Sequence, residues 1–382
     1  MEKSPAADHL LTAADVAARL GVTRQTLYAY VSRGLLRATA APDDPRRSLY
    51  DARDVAALLQ RHRRGRARRA VAAGTTDFGE PILRSSLTRI DGGRFFYRGQ
   101  DAVILSRATT LEQTAALLWN SGELPAIDEP VADPSDQPPF TRCLRSVAEL
   151  ATRSDFTARP DQVTADATRL LRRVAQAAAG ARFAPGQPIH SGFATAWSLP
   201  PDTADLLRRA LVLCADHELN ASAYAARVVA STGAALAACV LAGLAALSGP
   251  RHGGMTNRVR QLAADPEVTA DPRQAFSARL ARGETLPGFG HRLYPDTDPR
   301  AAELLHLLRP GPPWPAMIDA ATALTGLPPT LDVALAALET TRNLPQGGGL
   351  ALFATGRTAG WIAHALEQRT DGRLIRPRAG VG

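Results

Sequence analysis

Residues 228–250 read VVASTGAALAACVLAGLAALSGP, a stretch without a single charge. By length alone it would span a membrane. Its make-up argues otherwise, because Ala, Gly, Ser and Thr dominate and only seven positions are Val or Leu. No second span accompanies it, and a His-Gly-Gly turn follows at 252–254. Small side chains let neighbouring helices approach closely, so the stretch reads as one tightly packed helix buried in a helical core. The chain is therefore expected to be mainly α, with no membrane partner.

The same texture runs from about residue 80 to the C-terminus, as long Ala- and Leu-rich runs punctuated by Gly and Pro. Alternation typical of strands occurs only in short pieces such as SSLTRIDGGRFFYRG, at 85–99. The first 60 residues have a different logic. Thr12 with Asp15 three positions on is a helix-start pattern, and Ala14, Val16, Ala17 and Leu20 give one apolar face. Gly21 breaks that helix, Thr23 caps a second one, and Gly34 ends it.

With 382 residues, the chain is long enough for two or three folding units. It carries 45 basic and 37 acidic side chains, a net charge of +8 and a pI near 10.1. Lys3 is the only lysine, a bias that makes arginine content weak support for a polyanionic partner. Position is more informative than total. Residues 1–70 hold 14 basic and 7 acidic groups, and the remainder is close to balanced at 31 and 30. The excess gathers in RHRRGRARR at 61–69, which carries six arginines. Such a block reads as a solvated linker, able to add salt-sensitive contacts to phosphates.

No apolar signal region opens the sequence, and the three cysteines, Cys143, Cys214 and Cys239, lie far apart in apolar helical patterns. They are expected to be reduced core residues of a cytoplasmic protein. No Cys/His spacing suggests a metal site.

Three histidines stand outside the apolar stripes. His217, His252 and His291 sit in DHELNAS, GPRHGG and LPGFGHRLYPDTDPR, next to turn-forming or acidic residues. Asp298 and Pro299 look like an N-cap and first helical residue, which puts Arg300 in a first turn. Asp332 follows Pro328, Pro329 and Thr330, so it is placed in the first turn of the next helix. There the helix dipole would favour its carboxylate form, either for general-base work or simply to complement the dipole. Together these groups suggest a site that receives acids.

The front segment LTAADVAARLGVTRQTLYAYVSRGLL, with RRSLYDARDVAALL after it, resembles the helix-turn-helix, wing and closing helix of MerR-like and excisionase-like DNA-binding domains. That resemblance implies Arg24, Gln25 and Tyr28 as the exposed front of a major-groove helix, with Leu27 and Val31 packed inward. Arg46 and Arg47 would lie in the wing, near phosphates. DNA is then a possible partner through residues 11–69, although the fold alone does not establish binding.

The rest of the chain resembles the citrate synthases. IDGGRFFYRG, GELP, DHELNASAYAARVVASTGA, GPRHGG, PGFGHRLYPDTDPRA, FATGRTAGWIAHALEQ and RPRAG occur in that family's order over residues 84–380. The resemblance implies a helix-turn-helix domain at 1–60, an Arg-rich linker at 61–75 and an all-α synthase domain at 76–382, whose small domain covers about 254–345. Asp332 would take a proton from acetyl-CoA, His252 would stabilise the enol oxygen, and His291 would polarise the ketone of oxaloacetate. His217, Arg300 and Arg357 would hold its carboxylates. Arg376 would reach the site of a second subunit, which implies a homodimer. Leu286, Pro287, Gly288, Phe289 and Gly290 would lie against CoA, a co-substrate in an enzyme with no other cofactor.

Propionyl-CoA as the acyl donor, giving 2-methylcitrate, is an alternative that these residues leave open. So is a DNA-binding regulator whose synthase-like domain only senses ligands. Three departures from the family pattern touch the site region. Met255-Thr256-Asn257 follows GPRHGG where Ala-Asn and an acid or amide are more usual, the Pro-rich segment between Arg300 and Asp332 is short, and Asp332 lacks the usual Asn-Val lead-in.

Overall fold

The computed structural model describes residues 10–41, 43–56, 58–59, 83–130, 136–153 and 162–378. The chain divides into two compact units, Met1–Arg84 and Ser85–Gly382. The linker arginines and the rest of 61–75 fall outside the described residues.

In the first unit, β1 (Leu10–Thr12), β2 (Ala38–Ala40) and β3 (Ser48–Asp51) form an antiparallel sheet in the order β1-β3-β2. Thr12 ends β1 and starts helix Ala13–Leu20. Its hydroxyl oxygen accepts the Asp15 N–H, and the Asp15 carboxylate accepts the Thr12 N–H. This reciprocal cap satisfies donors that a helix start leaves bare. Thr23 caps helix Arg24–Ser32 in one direction only, its hydroxyl oxygen accepting the Thr26 N–H. Val16, Leu20, Leu27, Leu36, Tyr50 and Val55 make the small core, and Val31, expected inward, is only half-buried beside it. Residues 52–56 begin the closing helix.

β1 carries no alternating pattern in three residues, and so leaves no periodic signal in the sequence.

The second unit opens with a meander of β4 (Thr88–Asp91), β5 (Arg94–Tyr97) and β6 (Gln100–Asp101), and is otherwise helical. Tyr97 on β5 is fully buried. Its hydroxyl donates to the Val212 carbonyl at 3.0 Å and receives the Asp216 N–H at 3.2 Å, which pins the sheet to the end of helix Thr203–Cys214. The long helix Gly348–Asp371 forms the axis of the core. Helices Leu111–Trp119, Val163–Ala179, Thr203–Cys214, Ala221–Ser231 and Leu236–Leu247 pack around it.

The charge-free stretch 228–250 is not one helix. It is the end of Ala221–Ser231 and all of Leu236–Leu247, broken where Gly233 takes φ 83°. The hydroxyls of Ser231 and Thr232 return to the carbonyls of Val228 and Val229, which closes the first helix. Hydropathy hid the break because nothing polar enough to mark it intervenes. The inference from residue size holds, however. A Cβ at Gly243 would stand 2.5 Å from the Trp361 ring, so this glycine lets the axial helix close in. Among the described residues, no helix is long and apolar enough to cross a membrane.

Cys143, Cys214 and Cys239 are buried and unpaired. Burial pushes the first two thiols up to about 12 and the third to about 11.

Between 255 and 341 the helices are short and repeatedly begin at Asp-Pro. Asp265, Asp271 and Asp298 cap Pro266–Ala270, Pro272–Ala281 and Pro299–Leu308. Proline suits a first helical position because its missing N–H would be unsatisfied there in any case. Helix Leu331–Thr341 follows and carries Asp332 in its first turn.

Candidate active site

The sequence candidates from four separate regions meet in the second unit. His217, in the turn before helix Ala221–Ser231, and His291, after the loop 286–290, have ring centroids 5.3 Å apart and nearly perpendicular planes. Tyr294 closes the group, with its hydroxyl 2.9 Å from His217 Nε2, its ring 5.1 Å from His291 and the Arg300 guanidinium 5.3 Å from its centroid. His291 Nδ1 accepts the Leu293 N–H at 3.2 Å. With that nitrogen occupied as an acceptor, the neutral ring carries its proton on Nε2, available to a ligand. Sequence reasoning passed over Tyr294, and its signal was its place three residues after His291.

All three histidines are held neutral. Burial, then Arg357 and Arg300, pushes His252 down to about 3. Burial and Arg300 bring His291 to about 4. His217 is lowered well below its usual value by burial, Arg300, Arg357 and the other two imidazoles. Neutral imidazoles between two guanidiniums leave the positive charge to the arginines, which is what an incoming dianion needs.

Those arginines are buried and anchored. Arg300 lies on Asp298, with Nε to Oδ1 at 2.9 Å and Nη2 to Oδ2 at 2.8 Å. Arg357 projects from the axial helix, donates through Nε to the Cys214 carbonyl at 2.7 Å, and stacks 4.8 Å above Phe353. Among the described residues its Nη2, which is buried, has no hydrogen-bond partner. A buried guanidinium N–H without an acceptor is costly, and a ligand carboxylate would satisfy it.

His252 stands with its ring perpendicular to Phe353 at 5.9 Å, and its Nε2 lies 2.8 Å from Ser222 Oγ. Asn220, the cap of helix Ala221–Ser231, already receives the N–H groups of Ser222 and Ala223 on Oδ1, which is also 2.7 Å from Ser222 Oγ.

Asp332 behaves differently from the sequence expectation. The dipole of its first-turn position should favour the carboxylate, yet burial wins and raises its pKa to about 6. The opposing influences, largest first, are a hydrogen bond from Thr256 Oγ1, 2.8 Å from Asp332 Oδ1, the charge of Arg300 and the Thr330 side chain. The buried Cys214 thiol feels Arg357, Arg300, Asp332 and Asp298 together, so the base candidate and the acid-binding groups share one electrostatic neighbourhood.

The loop Leu286–Gly290 is pinned next to this base. The Gly288 carbonyl accepts the N–H and the hydroxyl of Thr330, and the Gly290 N–H donates to Pro328. Gly288 takes φ 86°, and a Cβ there would meet Val259 and Val333 at 2.5 and 2.8 Å. The lack of a side chain at Gly288 thus serves first its close packing against the protein itself. Pro287 also borders a groove of about 590 Å³ lined by Arg258, Gln261, Asp265 and Arg279. Arg376 is exposed in the C-terminal tail and joins none of these groups within its own chain.

In the first unit, Arg24, Gln25 and Tyr28 are exposed on helix Arg24–Ser32, with Tyr28 58% accessible. Arg46 and Arg47 lie in the β2–β3 loop, where Arg47 turns back onto Asp43 at 2.8 Å. Among the described residues, no group of three His, Cys, Asp or Glu is placed to hold a metal ion.

Comparison with known proteins gives the same division. A family model described as "Citrate synthase, C-terminal domain" matches residues 78–378, and one described as "Helix-turn-helix domain" matches 10–70. A citrate synthase of Haloferax volcanii is 32% identical over 351 residues, covering 78% of this chain and 92% of that protein. A 2-methylcitrate synthase of Mycobacterium tuberculosis is 29% identical over 325 residues, covering 74% and 82%. The Thermoplasma acidophilum citrate synthase, solved as a ternary complex with carboxymethyl coenzyme A and oxaloacetate, superimposes with a TM-score of 0.68 at 26% identity, covering 80% of this chain and 94% of that one.

Fold and matched sequence together define a condensing enzyme of the transferase type. The chain belongs to the citrate synthase family.

Proposed function

We propose that this enzyme condenses acetyl-CoA with oxaloacetate to give citrate and CoA. The observation that carries the reading is a carboxylate whose proton affinity is raised by burial, Asp332, in one neighbourhood with two imidazoles kept neutral, His252 and His291. A thioester α-proton is weakly acidic, so its removal needs a base and simultaneous support of the enol oxygen. Asp332 takes the methyl proton. His252 donates Nδ1–H to the thioester oxygen, provided its Nε2 accepts the Ser222 hydroxyl. His291 donates Nε2–H to the ketone of oxaloacetate, whose carbon the enol then attacks. Water hydrolyses the resulting citryl-CoA.

Arg300, Arg357 and His217 hold the oxaloacetate carboxylates, and the partnerless Nη2 of Arg357 supports this role. Arg376 would complete the site of a second subunit in a homodimer. The loop Leu286–Gly290 would carry the CoA, with the groove beside Pro287 open to its nucleotide end.

The greater identity and coverage of the citrate synthase relative favour acetyl-CoA as the donor. The test mixes the full chain with oxaloacetate and either acetyl-CoA or propionyl-CoA and follows free thiol. A higher kcat/KM with acetyl-CoA is expected. The reverse order would make it a 2-methylcitrate synthase, and no release with either ester would leave only a ligand-sensing regulator.

The exposed helix front of Arg24, Gln25 and Tyr28 also supports DNA as a ligand of the first unit. Titration of the full chain with duplex DNA at two salt concentrations, repeated with Arg24→Ala and Tyr28→Ala, should show salt-sensitive binding that both substitutions weaken. Identical titrations for all three proteins would reduce the unit to a structural appendage.

A further inference from the structure

Thr256 belongs to one of the segments where this chain leaves its family's pattern, Met255-Thr256-Asn257. It is fully buried in the first turn of helix Met255–Ala263. Several buried helical threonines of this protein return their hydroxyls to the carbonyl four residues back. Thr114 bonds to Thr110, Thr168 to Thr164, Thr355 to Ala351 and Thr358 to Ala354. That arrangement is the usual use of a threonine within a helix. Thr256 instead donates across to another helix, to Asp332 Oδ1 at 2.8 Å. The nearby Thr330 hydroxyl has its proton committed to the Gly288 carbonyl at 3.0 Å.

We propose that Thr256 is a positioning residue for the base: its hydroxyl fixes Asp332 through Oδ1 and presents Oδ2 to the acyl-CoA methyl group. The inference rests on the reading of Asp332 as the base. A carboxylate free to rotate would offer either oxygen at variable distance, whereas proton transfer needs one oxygen held within hydrogen-bond reach of the carbon acid. The bond has a second effect. Burial raises the Asp332 pKa to about 6, and a hydroxyl donated to the charged form is the largest influence working against it. Without that donor the base would hold its proton further into the neutral range.

Other groups facing this carboxylate are Arg300 and the Thr330 side chain, which favour its ionised form, and Asp298, which opposes it. The neutral His252 and His291 and the Arg357 guanidinium belong to the same pocket. Further along the two packed helices, Arg260 pairs with Glu339 at 3.5 Å. Among the described residues the hydroxyl that donates to Oδ1 is that of Thr256, and Thr330 is unchanged in every variant, so the comparison reports on the Thr256 contact.

The experiment compares Thr256→Val, which keeps the shape and lacks the donor, with Thr256→Ser, which keeps the donor and loses a methyl group. Thiol release from acetyl-CoA with oxaloacetate is followed as a function of pH, with Asp332→Asn alongside. Thr256→Val should lower kcat roughly 10- to 100-fold. It should leave the KM for oxaloacetate within about twofold and move the acid limb of kcat to higher pH. Thr256→Ser should keep the wild-type limb and recover most of kcat.

A merely structural threonine would not give this split. An unchanged limb and kcat in Thr256→Val would overturn the proposal, as would a Thr256→Ser enzyme no better than the valine variant. Full activity in Asp332→Asn would instead remove the base assignment, and the positioning role with it.

Discussion

Asp298 grips Arg300 along one edge of the guanidinium, with contacts of 2.9 and 2.8 Å, and both side chains are buried. The same carboxylate accepts the Leu331 N–H at 3.0 Å. It therefore joins the start of helix Pro299–Leu308 to the start of the helix that carries Asp332. Burial pushes the Asp298 carboxyl up, but Arg300 outweighs it and holds the group below the usual carboxylate range. One anion thus fixes the Arg300 guanidinium and the start of the helix that carries Asp332 at the same time.

Asp298→Asn removes that anion at constant shape. Arg300 is then a buried cation without its partner, a change that costs about 3 kcal/mol or more. The KM for oxaloacetate should rise at least about tenfold, because the guanidinium loses its fixed orientation. Steady-state kinetics and urea unfolding test this together. An unchanged KM would show that Asp298 serves stability alone.

The pH profile should carry the signature of Asp332 rather than of histidine. His252, at about 3, and His291, at about 4, are neutral across the working range, whereas Asp332 at about 6 must be ionised to act. Acting as a base, it loses activity as pH falls through its own pKa. kcat/KM for thiol release should therefore climb about tenfold per pH unit up to roughly 6 and then flatten. A limb centred near 4 would sink the assignment.

Stability runs the opposite way. The folded pKa lies above the unfolded value of 3.8, so ionised Asp332 is a burden above pH 6 and little burden near 4. Asp332→Asn should stabilise the fold by on the order of 2 kcal/mol at pH 8, and hardly at all at pH 4. Thermal unfolding at the two pH values reads this difference.

Ser222→Ala tests the proton placement on His252. The serine has one hydroxyl proton and two acceptors in reach, Asn220 Oδ1 at 2.7 Å, to which it donates and which also accepts two backbone N–H groups, and His252 Nε2 at 2.8 Å. If His252 Nε2 receives the proton instead, the ring keeps Nδ1–H for the thioester oxygen. Without the serine, kcat should fall by about 10- to 100-fold, the scale of a disturbed oxyanion donor. Oxaloacetate binding, measured calorimetrically without acetyl-CoA, should stay within about twofold. A variant with normal kcat would place the thioester donor elsewhere.

Local chemistry was well written in the sequence, and tertiary balance was not. Thr12 with Asp15, and Asp298 with Pro299, fold as their short-range patterns require, because caps depend on neighbours within one turn. The histidines and arginines that the structure brings together were singled out from motifs in a fixed order. Their positioning partners were harder to see, since Tyr294 and Ser222 act across 77 and 30 residues of chain. Asp332 shows why, because its first-turn position predicts an easy carboxylate and only the surrounding packing reveals the desolvation that reverses this.

The break within 228–250 was equally silent. One glycine and two hydroxyl side chains end a helix by backbone geometry, which a hydropathy reading does not register.

Residue size, by contrast, could be read directly, and Gly243 makes that reading testable. Its hydrogen faces the fully buried Trp361, and an added Cβ would fall 2.5 Å from the indole ring. Neither helix Leu236–Leu247 nor the axial helix Gly348–Asp371 can yield without disturbing its other packed neighbours. Overpacking of this kind costs about 1–3 kcal/mol. Gly243→Ala should therefore lower the urea midpoint, and Gly243→Val should lower it further. Gly122→Ala is the control, because a Cβ there meets nothing within 4 Å. The control should stay within about 0.5 kcal/mol of the parent. Equal midpoints for Gly243→Ala and Gly122→Ala would mean that the small residues of this stretch do not set the spacing between the helices.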